Sequence, residues 1–242
     1  MTTSFATWIQ MTDPTVMEAL AFFDLDYFII DMEHSYIGNK ELANLVRAIP
    51  KNSSTKPLVR VKDNNALDIR LALDMGAKGV IVPMIETEEQ AKKAVAAAKY
   101  PPQGVRGTSY CKMNFWGEEF ASYQEKANGF LTLIMIETVK GLRNIENILS
   151  VKGVDGVLFG AYDFSSSCGY PGQLNNRIVL DAEKKLVKEC KERGMIVGTL
   201  VFAPDEEKIK KVQDVGFNLV SIGSDIMFMK ESAKRFLNFI QG

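Results

Sequence analysis

Residues 131–159 read LTLIMIETVKGLRNIENILSVKGVDGVLF. Two short apolar runs, Leu131–Ile136 and Gly156–Phe159, flank residues 140–150, where apolar side chains recur with helical spacing. A short, continuous apolar run is typical of a strand that is buried on both faces of a parallel sheet. This stretch therefore predicts one strand–helix–strand unit.

The same alternation recurs in both directions from this unit. The predicted strands are residues 6–10, 27–30, 57–61, 79–82, 131–136, 156–159, 195–201 and 219–222. The predicted helices are residues 14–22, 39–49, 66–75, 87–99, 140–150, 176–193, 205–215 and 225–239. Eight units in 242 residues predict an α/β fold, a closed (β/α)8 TIM barrel formed by residues 1–242 as a single domain. The alternative is an open, doubly wound sheet, but no Gly-x-Gly-x-x-Gly segment opens any helix.

Composition narrows the class of protein. The chain has 29 basic and 30 acidic side chains, so it lacks the basic excess with which proteins bind nucleic acids. No apolar run reaches the roughly 18 residues that a membrane span needs, and no secretory signal is apparent at the N-terminus. The three cysteines are widely spaced, which predicts free thiols in a reducing cytoplasm.

One long segment, residues 100–128, interrupts the alternation. Excursions of this length in compact domains are often lids or substrate loops, and a surface or subunit-contact insertion is the alternative.

Polar residues gather where the predicted strands end. Glu137 directly follows the buried run that ends at Ile136, and Asp163 follows the next strand. An acid in this position commonly caps the following helix. However, an unpaired carboxylate at the buried rim of a barrel is costly, so a cation is a natural partner. Two carboxylates with other positions open to water or substrate suit Mg²⁺ or Mn²⁺.

Two further polar residues stand at strand ends. The only histidine of the chain, His34, follows Asp31 and Glu33, which favours an acid–base role and excludes a site built from several histidines. Arg60 ends an apolar strand. It is interpreted either as a structural ion pair in the barrel mouth or as a clamp for a substrate carboxylate or a developing enolate.

Together these motifs resemble the HpcH/HpaI aldolases, also called the 2,4-dihydroxyhept-2-ene-1,7-dioate aldolase and citrate lyase beta-subunit-like family. The resemblance covers nearly the whole chain. It is carried by DMEH (31–34), PLVR (57–60), LDMGA (73–77) with VP (82–83), YPPQGVRG (100–107), IET (136–138), GAYDFS (160–165) and GYPG (169–172). It implies a barrel of the phosphoenolpyruvate/pyruvate type and a metal-dependent class II pyruvate aldolase.

The resemblance also implies roles for individual residues. Glu137 and Asp163 would hold a divalent cation, with Mg²⁺ or Mn²⁺ expected and Co²⁺ possible, which would act as Lewis acid on a 2-oxo acid. Arg60 would stabilise the enolate oxygen. His34 would be the base that takes the aldol hydroxyl proton.

The remaining implied roles belong to residues around these groups. Asp31 and Asp74 would orient His34, and Glu33 would contact the catalytic residues without contacting the substrate. The residues implied in substrate binding are Arg60, Gly160, Ala161, Tyr162 and Ser165. The family's barrels usually pair by swapping the last helix, here residues 225–240, and assemble to hexamers as trimers of dimers.

Three departures from the family pattern concern specificity. Met135 stands where many of these aldolases carry Gln, Tyr162 is bulky, and the segment after Gly107 looks different. The predicted reaction is reversible cleavage of a 4-hydroxy-2-oxo acid to pyruvate and an aldehyde. One alternative is a citrate-synthase-like condensation of oxaloacetate with acetyl-CoA on the same site, as in siderophore pathways. The other is a barrel that binds without catalysis.

Overall fold

A computed structural model describes residues 2–241, so Met1 and Gly242 of the predicted domain lie outside the described residues. Within residues 2–241, eight parallel strands close into a barrel in chain order, with β8 pairing with β1. The strands are β1 (Ser4–Ile9), β2 (Tyr27–Asp31), β3 (Lys56–Arg60), β4 (Gly79–Val82), β5 (Leu131–Ile136), β6 (Gly156–Phe159), β7 (Ile196–Val201) and β8 (Leu219–Ser224). The predicted closed barrel is confirmed.

Helices cover the outside of the barrel. They are α1 (Pro14–Leu20), α2 (Asn39–Ala48), α3 (Ala66–Met75), α4 (Glu88–Ala98), α5 (Phe120–Ala127), α6 (Val139–Arg143), α7 (Ile145–Leu149), α8 (Ala161–Ser167), α9 (Arg177–Glu192), α10 (Glu206–Val215) and α11 (Asp225–Gln241). Within residues 2–241, the helices are too short or too polar to span a lipid bilayer.

Two helical segments differ from the prediction. The single helix predicted over residues 140–150 is divided into α6 and α7 at Asn144, whose side-chain amide donates to the carbonyl oxygen of Glu86 at 2.8 Å. A short helix that the apolar pattern does not predict, α8, begins directly after Gly160. In the long excursion, a 3-10 segment (Lys112–Gly117) precedes α5.

Side chains alternate between the two sides of the barrel wall, as they do in any strand. In β5, Leu133 and Met135 pack in the cluster inside the barrel, whereas Ile134 and Ile136 pack in the larger cluster under the helices. The inside cluster also contains Trp8, Ile29, Leu58 and Leu158. A residue that stands two positions after the last inner side chain of a strand therefore faces the interior at the C-terminal end of the barrel.

Candidate active site

A cavity of about 190 Å³ lies at the C-terminal ends of the strands. This is the end at which α/β barrels carry their active sites. The sequence-predicted residues that line it are Asp31, His34, Arg60, Gly160, Ala161, Tyr162 and Asp163. Their place follows from the alternation within the strands, since Asp31 and Arg60 stand two positions after the inner side chains Ile29 and Leu58.

Arg60 and Asp31 form a buried, two-point ion pair. Their strands β2 and β3 place them directly opposite each other in register. The Nε of Arg60 lies 2.9 Å from Oδ1 and its Nη2 lies 2.7 Å from Oδ2 of Asp31. The guanidinium also stacks on the ring of Trp8, with 4.5 Å from Cζ to the ring centroid. The planar group is therefore held in one orientation.

Asp31 also shapes the turn that carries the histidine. Its Oδ1 accepts hydrogen bonds from the backbone N–H groups of Glu33 at 3.1 Å and His34 at 3.2 Å. Burial opposes ionisation of Asp31, but the hydrogen bonds and charge of Arg60 outweigh it and lower the pKa of that carboxyl. The carboxylate thus fixes Arg60 and the His34 turn at the same time.

His34 and Glu33 lie on the solvent side of this pair. The side chain of His34 is 62% exposed, and its Nε2 lies 3.7 Å from Oε2 of Glu33. The Nη1 of Arg60 lies 3.0 Å from the same Glu33 oxygen, but no N–H direction there meets hydrogen-bond geometry, so this buried oxygen has no hydrogen-bond donor among residues 2–241. A histidine at the rim can exchange protons with solvent while touching a ligand in the cavity.

Glu137 is a buried carboxyl whose ionised form is disfavoured by its surroundings. It is 4% exposed and accepts one hydrogen bond from the backbone N–H of Met84 at 2.6 Å. Burial raises the pKa of Glu137 to about 7, and the negative charges of Glu33 and Asp163 add to that rise, against the Met84 bond and Arg60. A carboxyl whose acidic neighbours raise its pKa is one that a cation would stabilise.

The residues present fit a divalent cation. Asp163 stands in the first turn of α8, and Gly160 before it lets this turn approach β5, since a Cβ on Gly160 would lie 2.7 Å from Cβ and 2.8 Å from Oε2 of Glu137. Carboxylate oxygens are the ligands of hard cations such as Mg²⁺ and Mn²⁺. Among residues 2–241 no group of three or more His, Cys, Asp or Glu could hold a metal, so water or substrate would complete the coordination of a pair.

Comparison with known proteins identifies the family. The model of the HpcH/HpaI aldolase/citrate lyase family matches residues 4–231. The chain belongs to this family. It is 32% identical over 237 residues to a 2-dehydro-3,6-dideoxy-6-sulfogluconate aldolase of Pseudomonas putida. The aligned region covers 98% of this chain and 92% of the relative. The family and the aldolase class predicted from the motifs are confirmed.

Solved structures agree with this assignment. An HpcH/HpaI aldolase/citrate lyase family protein from Burkholderia cenocepacia J2315 has a TM-score of 0.94 at 25% identity, over 100% of this chain and 95% of that chain. The citrate synthase SbnG has a TM-score of 0.86 at 29% identity, over 99% of this chain and 94% of that chain. Aldolase and citrate synthase chemistries thus occur on closely similar barrels.

Two implied residues lie elsewhere in this HpcH/HpaI family member. Asp74 does not line the cavity, and its Oδ1 accepts a hydrogen bond from Nη2 of Arg106 at 2.6 Å in a separate pocket. Because α3 runs antiparallel to the strands, a residue near its end lies toward the opposite end of the barrel. Within one chain, the expectation that Asp74 orients His34 is therefore not met.

Ser165 is the second correction. It is fully buried and does not line the cavity of this family member. Its hydroxyl donates to the carbonyl oxygen of Tyr162 at 2.7 Å and accepts from the N–H of Gly172 at 2.9 Å. Ser165 therefore stabilises the turn after α8 instead of contacting a ligand, because its place on the helix directs it inward.

Several cavity residues are missing from the sequence-based set. Trp8 and Gln10 come from β1 and the loop after it, whereas Leu200 and Phe202 come from β7 and its loop. Gln10 and Phe202 each stand two positions after an inward-facing residue, in the same way as Arg60. Strand alternation, extended past the end of every strand, would have found both.

Proposed function

We propose that this HpcH/HpaI family member is a divalent-metal-dependent aldolase that reversibly cleaves a 4-hydroxy-2-oxo acid into pyruvate and an aldehyde. The observation that carries the proposal is that Glu137 packs against Gly160, directly before the helical turn that carries Asp163, and that Asp163 lines a cavity together with Arg60 and His34. The curated relative from Pseudomonas putida, named as an aldolase, supports the same class of reaction.

The two carboxylates are the proposed holders of the cation. Glu137 and Asp163 would bind Mg²⁺ or Mn²⁺, with Co²⁺ as a further candidate, because hard cations prefer carboxylate oxygens and because Glu137 experiences the negative charges of Glu33 and Asp163. When bound, such a cation supplies Lewis acidity to the 2-oxo group of the substrate. The carboxylate of the substrate would meet the backbone N–H groups of Ala161 and Tyr162, at the start of α8.

Arg60 is the proposed donor to the charge that develops during cleavage. Breaking the bond between C3 and C4 leaves its electron pair as the enolate of pyruvate. Asp31 holds Nε and Nη2 of Arg60, which leaves Nη1, near Glu33 Oε2 and 4.0 Å from Sδ of Met135, as the donor with freedom to meet that oxygen. A donor fixed in advance stabilises the charge without reorganising.

His34 is the proposed base. It would take the proton of the C4 hydroxyl, so that the carbon–oxygen bond becomes the carbonyl of the leaving aldehyde. Glu33, 3.7 Å from Nε2, is placed to stabilise the imidazolium that results. The enolate takes up a proton at C3 from water to become pyruvate, and the exposed ring returns the hydroxyl proton to water.

A citrate-synthase-like condensation of oxaloacetate with acetyl-CoA is the second candidate. The structural similarity to the citrate synthase SbnG favours it specifically. The aldolase is preferred because the curated relative that covers nearly the whole chain carries an aldolase name.

We also infer a cytoplasmic homo-oligomer, a hexamer built as a trimer of dimers. The support is the apolar end of α11, where Phe236, Leu237, Phe239 and Ile240 are all exposed in the single chain. Large exposed apolar patches are typical of protein–protein contacts. A swap of this helix between two subunits would cover them.

The test is pyruvate release from 4-hydroxy-2-oxo acids by the purified protein with Mg²⁺, Mn²⁺ or Co²⁺, and with EDTA. We expect metal-dependent release that Glu137→Gln abolishes together with Mn²⁺ binding in titration calorimetry. Glu192→Gln, on the exposed surface of α9, is the control and should retain both. Citrate formation from oxaloacetate and acetyl-CoA without pyruvate release would favour the second candidate, and absence of metal binding would favour a non-catalytic barrel.

A further inference from the structure

The cavity has one wall that is almost entirely apolar. Leu158 on β6, Leu200 and Phe202 on and after β7, and Met227 on α11 all line it. Glu137 directly follows β5, Asp163 stands in the first turn of α8, and Arg60 ends β3. The apolar wall is therefore built by elements other than those that carry the carboxylates Glu137 and Asp163 and the guanidinium.

An aromatic pair stands at the end of this wall. The rings of Tyr162 and Phe202 meet edge to face, with 4.8 Å between centroids and 80° between planes. The two residues are 44% and 43% exposed, and neither ring belongs to the apolar core. Half-exposed aromatic rings at a cavity gain from a ligand that removes their apolar surface from water.

The backbone beside Phe202 is held in an uncommon conformation. Ala203 has a φ of 43°, a value that residues other than glycine rarely adopt. The Nζ of Lys208 donates to the carbonyl oxygen of Ala203 at 2.9 Å and pairs with Asp205 at 2.8 Å. These contacts tie down the loop that positions the Phe202 ring, and they occupy the ammonium group of Lys208.

The charges around the cavity disfavour a second anion. Among residues 2–241, Arg60 is the only lysine or arginine that lines the cavity, and it is already paired with Asp31 and Glu33. The amide of Gln10 donates to Asp31 at 3.3 Å, and the hydroxyl of Ser224 accepts from the N–H of Met227 at 3.3 Å. A carboxylate, sulfonate or phosphate on the aldehyde would thus meet no free cationic side chain, whereas the acidic side chains of Asp31 and Asp163 also line the cavity.

We propose that the aldehyde half of the substrate is uncharged and has an aliphatic or aromatic body, which packs on Leu200, Met227 and the Tyr162–Phe202 pair. This inference rests on the proposed aldolase function. Phe202 is then a specificity-determining residue, contributed by a strand end that holds none of the predicted catalytic groups.

Matched aldehydes test the proposal directly. In aldol addition to pyruvate with Mn²⁺, butanal is compared with 4-oxobutanoate, and benzaldehyde with 4-formylbenzoate. We expect kcat/KM to be about tenfold or more higher for the neutral member of each pair, the range in which an apolar pocket discriminates. Equal values, or a preference for the charged member, would overturn the proposal.

Hydrogen exchange at the methyl group of pyruvate tests the proposed aldolase function separately from the proposed class of aldehyde. Exchange in D₂O, followed by NMR, requires enolate formation but no aldehyde. If the wild-type protein does not catalyse this exchange, the proposed function is refuted. Exchange combined with preference for the charged aldehydes would refute only the proposed acceptor class.

Variants at Phe202 give a second, independent measurement. Phe202→Ala should lower the ratio of benzaldehyde addition to pyruvate exchange by about tenfold, because the ring that covers the ligand is gone. Phe202→Arg should raise the ratio of aldol addition to pyruvate exchange more for 4-formylbenzoate than for benzaldehyde. Phe22→Ala, which removes an exposed ring outside the cavity, is the control. Unchanged ratios in both Phe202 variants would remove Phe202 from the acceptor site.

Discussion

The guanidinium of Arg60 and the carboxylate of Asp31 face each other in a two-point contact, with Nε 2.9 Å from Oδ1 and Nη2 2.7 Å from Oδ2. Both side chains are buried, and the same carboxylate accepts the N–H groups of Glu33 and His34. The pair therefore connects β2, β3 and the histidine turn through one carboxylate. Most of the proposed chemistry depends on this contact.

Asp31→Asn should destabilise the fold as well as impair turnover. The substitution leaves the buried guanidinium of Arg60 with Glu33 as its remaining ion-pair partner, and removing one partner of a buried ion pair typically costs about 3 kcal/mol. We expect a loss of this size in urea unfolding at pH 7. Asp63→Asn, at an exposed position, should change neither property. A stable Asp31→Asn protein with wild-type kcat would mean that Arg60 does not depend on Asp31 for its orientation.

His34→Ala should separate two partial reactions. If His34 takes the aldol hydroxyl proton, cleavage should fall about 100-fold, the usual contribution of a positioned base. Exchange of the pyruvate methyl hydrogens should fall much less, because it involves no aldol hydroxyl. Pyruvate release and NMR-detected exchange measure the two rates. A loss of equal size in both would assign the imidazole another role.

Gly160→Ala should weaken metal binding while the barrel still folds. The new Cβ would lie 2.7 Å from Cβ and 2.8 Å from Oε2 of Glu137, so the glutamate or the start of α8 must shift. Displacing a metal-holding carboxylate from its supporting contacts typically costs about tenfold or more in affinity. Mn²⁺ titration calorimetry is the measurement, with Gly129→Ala as the control. Unaltered affinity would indicate that Glu137 does not hold the cation.

Glu183 on α9 should make stability depend on pH. Burial raises the pKa of Glu183 to about 7 from its ordinary 4.5, partly opposed by Lys211. The folded protein therefore binds this proton more tightly than the unfolded chain, and its stability falls as the pH rises from about 4.5 through about 7.

Glu183→Gln removes that ionisation. We expect the variant to gain about 1 kcal/mol at pH 8 relative to wild type and no advantage at pH 4.5, as measured by urea unfolding at both values. Glu192→Gln, exposed on the same helix, is the matched control. A gain of equal size at both pH values would show that the effect does not come from ionisation.

The barrel was predictable because each strand and each helix has a recognisable pattern of apolar residues in its own segment of the sequence. Buried parallel strands have no polar face, so runs such as Leu131–Ile136 are recognisable without knowledge of their neighbours. The polar residues that follow them, Glu137 among them, are equally visible, because an acid after an apolar run contrasts with its context. Where α8 begins and where residues 140–150 break at Asn144 were not predictable, since both depend on contacts with distant residues.

Which of these polar residues meet depends on how the barrel closes. Register brings Asp31 opposite Arg60, whereas Asp74 pairs with Arg106 and Ser165 turns into the interior. Tyr162 and Phe202 are 40 positions apart and become a pair only because β6 and β7 are neighbours. Apolar patterns are local properties of the chain, but contacts between side chains are set by strand register and helix direction, which exist only after folding.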